Sequence, residues 1–133
     1  MNLVQVIHQR WAADETLRAL LPASRVTTGI TVDPATPYAV IGQQSNRPIF
    51  QCSDGSSVDR VGLRVQVFHE SYDAAAAIVD RLKAVFHLAQ FPLAGSDKVL
   101  AMQRANDSER QQDDGLWQFV VDFDCIVQLA TGV

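Results

Sequence analysis

Asp122 and Asp124 flank Phe123, so on an extended strand both carboxylates point to the same face. Two carboxylates so placed can hold a divalent cation or move protons for a substrate. The same spacing describes a solvated strand face, or carboxylates set against Arg60 and Arg64 on a neighbouring strand. Asp113-Asp114 precede Gly115 and read as turn chemistry rather than a metal site. His8, His69 and His87 share no metal-ligand spacing with one another or with Cys52 and Cys125. His87 falls at a helix end, where a cationic ring is favoured by the helix dipole. Ser53, Ser56 and Ser57 lie near Asp54 with no histidine close by in sequence, so no triad is signalled. There is no nucleophile elbow, no phosphate-binding glycine loop and no zinc-helix motif. No cofactor is expected. Two cysteines are too few for a disulfide framework, and each reads as a small buried hydrophobe in a reducing compartment.

The elements that would carry these groups follow from periodicity. Leu3, Val6, Ile7 and Trp11 put apolar groups on one helical face, and Asp14 is placed to cap a second short turn carrying Leu17, Leu20 and Leu21 before Pro22. Residues 25–32 read as a short strand, 33–37 as a turn and 38–43 as a second strand. Residues 45–57 read as a loop or a loose hairpin tip. Residues 58–69 alternate, with Val61, Leu63, Val65 and Val67 on one face and Arg60, Arg64 and Gln66 on the other. Ser71 is a helix cap, followed by Ala75, Ile78, Val79, Leu82, Val85 and Phe86 on one stripe. Residues 98–105 read as a strand and 106–115 as a polar loop. Residues 116–130 hold the longest alternation, which predicts a strand that is central or lies along a subunit contact. The expected fold is α+β: a mainly antiparallel sheet of about four to five strands with two helices on one face, in a single domain over residues 1–133.

Length and composition narrow the function classes. The chain has 133 residues, 47% hydrophobic and 20% charged, which excludes a disordered tail or a fibrous repeat. No apolar run approaches the length of a membrane span. The first twenty residues lack a signal-peptide pattern, so export by a standard signal is not expected, and the cysteine usage fits a cytoplasmic assembly site. A net charge of −4 argues against a generic nucleic-acid binder. Ile49-Phe50 is an apolar pair inside a polar stretch; it either folds back as an anchor or stands exposed for a partner. Trp11 and Trp117 read as core or interface residues.

Several stretches in this order resemble the tail terminator, or tail completion, proteins of long-tailed phages. Thr36-Pro37-Tyr38-Ala39-Val40-Ile41 is similar to their proline-tyrosine strand. The run from Gly62 to Ala75, through Arg64-Val65-Gln66-Val67 and Ser71-Tyr72, is similar to their next strand and alanine-rich helix. The leading helix ending at Leu20-Leu21 and the last strand from Trp117 to Phe123 fit the same order, so the resemblance covers nearly the whole chain.

The resemblance implies a non-enzymatic structural protein of the virion, from a phage or prophage, assembled in the bacterial cytoplasm. It implies a ring, usually a homo-hexamer, at the head-proximal end of the tail tube, which stops tube polymerisation and meets the head connector. Self, the tube protein and the connector are then the partners, with no membrane, and DNA passes through the lumen without being held. On that reading Arg47, Ile49 and Phe50 in the first polar stretch and Arg104, Glu109 and Arg110 in the second are the expected partner contacts. Arg60, Arg64, Asp122 and Asp124 are expected on a lumen or inter-subunit face. The alternatives are another head–tail joining component of similar fold, or a small enzyme or ligand-binding domain built on Asp122, Asp124, His69 and Arg64.

Overall fold

The computed structural model describes residues 2–28 and 35–130. Helix α1 (Leu3–Ala13) starts at Asn2, whose side chain accepts from Gln5 N–H while the Gln5 side chain accepts from Asn2 N–H, a closed capping box. Asp14 ends α1 and caps α2 (Glu15–Leu20) by accepting from the N–H groups of Thr16 and Leu17. A single 3-10 turn (Ala23–Arg25) leads into β1 (Val26–Thr27). The strand expected over 25–32 is thus seen only in part, because residues 29–34, and with them part of the expected turn, lie outside the described residues.

The next elements are β2 (Tyr38–Gln51), β3 (Ser57–His69), α3 (Tyr72–Phe86), β4 (Phe91–Pro92), β5 (Lys98–Gln111) and β6 (Trp117–Leu129). They form one six-stranded sheet in the order β1-β2-β3-β6-β5-β4, antiparallel except for β1 against β2. This is the α+β fold expected, with a sixth strand because the two-residue β4 joins one edge. β6 is central, as its alternation predicted.

One face of the sheet is dry. Val61, Leu63, Val65 and Val67 of β3 and Phe119, Val121, Phe123, Cys125 and Val127 of β6 are buried under the helices. α3 contributes Ala75, Ile78, Val79, Leu82 and Phe86, and α1 contributes Leu3, Val6, Ile7 and Trp11 to the same cluster. Trp11 donates its ring N–H to Leu21 C=O at 2.9 Å, so the one polar atom of the largest core residue is satisfied. Cys125 is buried in this layer, which pushes its thiol up to about 12. Cys52, in contrast, is exposed in a turn, which corrects the expectation that both cysteines are buried.

Both polar stretches depart from the loop reading. The strand β2 runs on to Gln51 and β5 runs on to Gln111. Each hairpin then closes in a few residues around an Asp-Gly pair. Asp54 accepts from the N–H and hydroxyl of Ser56, and Asp114 accepts from Leu116 N–H, with Gly55 and Gly115 at φ of 91° and 86°. Residues 43–51 and 103–111 are hydrophilic because both of their faces are exposed, so hydropathy marked them as loops although they are paired strands.

Candidate assembly surface

The exposed halves of β2 and β5 are the edges of the sheet, and they lie at opposite ends. Among the described residues, β1 covers β2 at Ala39 and Val40, and β4 covers β5 at Lys98 and Val99. Beyond those points, residues 43–51 and 103–111 each have a strand on one side and, among the described residues, none on the other. Such an edge presents unpaired N–H and C=O groups and is a template for another strand. Pro48 lies on one of them, consistent with the confinement of strand prolines to edges.

The second sheet face is open. Register places Arg64 opposite Asp122 and Gly62 opposite Asp124, so both carboxylates do point to this face. The Arg64 guanidinium donates to both Asp122 oxygens, Nε at 2.8 Å and Nη2 at 3.2 Å. That hydrogen bond holds the guanidinium above its usual range. Arg47 sits opposite Arg60 on the same face, and Arg110 Nε donates to Gln118. The chain's acidic excess is therefore not displayed here; the open face mixes arginines with the two aspartates. Tyr38 stacks on Phe68 at 4.7 Å nearby.

Gly62 permits a close crossing. β2 carries an extra residue, Gln44, and the following Ser45 lies over Gly62, where a Cβ would meet Ser45 Oγ at 2.6 Å. The other candidate contacts fall as follows. Ile49, the extra residue of a second bulge, and Phe50 are 55% and 61% exposed, so they stand out rather than fold back. Arg104 faces the helix side of the sheet, opposite Phe123, and its N–H donates to Nδ1 of His87. The His87 ring thus ties the end of α3 to β5. Glu109 accepts from the Tyr72 hydroxyl, which raises the phenol above its ordinary value, and Asp107 is paired with Lys83, which holds its carboxyl down.

The proposed enzyme constellation does not assemble. Asp122 is engaged by Arg64, and His69 pairs with Trp117, five rungs along the sheet, its Nδ1 accepting from Ser71 N–H. Among the described residues no three metal-ligating side chains come together. One residue that the sequence reading passed over stands out. Asp59 is only 8% exposed, and its Oδ1 finds no hydrogen-bond donor among the described residues. Its place in the alternation, on the dry face with Val61 and Leu63, was the available signal.

The fold is shared with a known particle. A chain in the structure titled "Virion of native gene transfer agent (GTA) particle" superposes with a TM-score of 0.71 at 12% identity, covering 96% of this chain and 99% of that one. The comparison with curated proteins gave no match. The family model of tail completion protein gp17 matches residues 5–128. The chain belongs to the tail completion protein gp17 family and is a structural protein of a phage tail.

Proposed function

We propose that this single-domain chain is a tail terminator. Six copies close into a ring on the head-proximal end of the tail tube, stop its growth and present a surface to the head connector. The observation that carries the ring is the pair of edge stretches, 43–51 and 103–111, that have no second strand beside them among the described residues. They differ from each other, as a heterologous head-to-tail contact requires. β2 and β5 run in opposite directions, so copies related by rotation would pair them antiparallel, in continuation of the sheet.

The stagger of the edges supports closure. Asp107, the middle of one free stretch, is level with Ile41 through Val121 and Val65, and Arg47, the middle of the other, lies five rungs further along β2. Five rungs are about 17 Å, and the four long strands of one copy span about 19 Å. Joining the edges thus tilts the strands by about 40°, within the range of closed barrels. With a right-handed β3–α3–β5 connection, this tilt gives the barrel its usual hand when the helices lie outside and the open face lines the lumen. Arg60, Arg64, Asp122 and Asp124 then face the lumen, where the aspartates offset the arginines and DNA passes without being held. The hairpin tips and Ile49-Phe50 are left for the tube and connector.

The test is tube length. Tube protein polymerised with this chain should give short tubes capped at one end by electron microscopy. Tubes of unchanged length with bare ends would overturn the reading.

A further inference from the structure

Asp59 lies in a pocket of about 220 Å3 on the helix side of the sheet, bounded by β2, the start of α1 and the turn before β5. Gln43, Asn46, Asp97 and Leu129 are among its walls. The other polar groups are largely occupied: Asn2 Oδ1 caps α1, and Asp97 Oδ1 accepts from Ala130 N–H at 2.8 Å. Asp59 alone is more than nine-tenths buried with a carboxylate oxygen unpartnered. A buried, unpaired carboxylate is costly unless something cationic reaches it. Among the described residues no trio of metal-ligating side chains lines the pocket, which makes it poorly suited to a metal ion. Its volume suits a long basic side chain.

The ring geometry supplies one. We infer that the pocket receives the guanidinium of Arg104 from the adjoining copy, an inference that rests on the ring reading above. Arg104 is on the free stretch of β5 and faces the helix side; among the described residues it closes no salt bridge, and its one charge neighbour is Asp107 of its own copy, whose carboxyl it helps Lys83 to hold down. Pairing the two edges with helix-side residues opposite helix-side residues restricts the register. Arg104 is level with Gln43 in its own copy, through Phe123 and Leu63. Setting it opposite Pro48 of the next copy shifts it four rungs, a tilt of about 35° and inside the barrel range. Pro48 is in turn directly opposite Asp59 on β3. The arginine stem would lie across the apolar proline ring and its head would reach the carboxylate. Asp107 arrives beside Asn46 in this register, already neutralised by its own Lys83.

The experiment compares Asp59→Asn, Arg104→Gln and the double variant. Light scattering gives the concentration at which each assembles, and thermal melting of the dilute monomer checks the fold. Each single change should raise the assembly midpoint at least about tenfold, and the double should be no worse than the poorer single. The Asp59→Asn monomer should melt no lower than the parent, since it loses an unpaired buried charge. Arg104 is exposed, so Arg104→Gln keeps the test valid even if Asp59→Asn folds poorly. Rings that form at an unchanged midpoint, or single effects that add in full, would overturn the pairing and leave the ring standing. A parent chain that stays single at every concentration would overturn both.

Discussion

Asp14 joins three helices, and its removal should be felt in a calculable way. Its carboxylate accepts from Thr16 and Leu17 N–H at 3.1 Å each and from Arg81 on α3 at 3.2 and 2.8 Å. Losing an N-cap of this kind costs about 1 kcal/mol. The Arg81 guanidinium is 40% exposed, so solvent screening limits that pair to at most about 1 kcal/mol. Asp14→Ala should therefore cost about 2 kcal/mol, and Asp14→Asn, which keeps a capping oxygen, about half of that. For a chain of this size the difference between the variants is about 4 °C in Tm. Arg81, and then the capping N–H groups, hold the Asp14 carboxyl below its ordinary value against the opposing effect of burial. The stabilisation is thus present above about pH 4 and is lost as pH falls through the lowered value, so the gap between parent and Asp14→Ala should narrow there. Thermal and urea unfolding at a series of pH values, followed by the fluorescence of Trp11 and Trp117, read all of this. Equal losses in Asp14→Asn and Asp14→Ala, or a gap that widens in acid, would refute the reasoning.

Other expectations concern the arms and the open face. Gly62→Ala should cost no more than about 1 kcal/mol, because the exposed Ser45 can turn its hydroxyl aside, and Ser45→Gly in the same chain should remove that cost in the same unfolding assay. Asp122→Asn should cost under about 1 kcal/mol, because Arg64 is 41% exposed, and Asp122→Asn with Asp124→Asn should leave the assembled mass unchanged. Loss of the assembly in that double variant would contradict a lumen placement. Arg47→Glu and Arg110→Glu should weaken the joining of tails to heads while circular dichroism of the monomer stays the same. Normal tail completion in both would remove these residues from the contact surface.

The core was legible because it obeys a period. Leu63, Val65 and Val67 at spacing two, and Ile78, Val79 and Leu82 at helical spacing, each announce one buried face, and the structure buries all six. Ser71 and Asp14 were readable as caps because a short oxygen-bearing side chain before an apolar stripe has few other uses. The outer halves of β2 and β5 were not legible. A strand that buries neither face has no alternation, and Asn46, Ser108 and Glu109 read as loop although the ladder continues through them. β4 was missed because two residues, Phe91-Pro92, hold no period at all. Asp122 and Asp124 could be placed on one face from spacing alone, but which arginine meets them depends on register. Arg64 lies directly opposite Asp122, whereas Arg60 lies opposite Ile126. Asp59 was overlooked because one polar residue in an apolar alternation looks like an interruption until its burial is seen.

The central claim is that unlike edges join copies head to tail until the ring closes. Light scattering of the purified chain over a wide range of concentration tests it most directly. A head-to-tail seam leaves two free edges on every open assembly, so mass should pass from one chain to six with no stable dimer between. A mass that stays at one chain throughout, or stops at a two-fold dimer, would contradict the account.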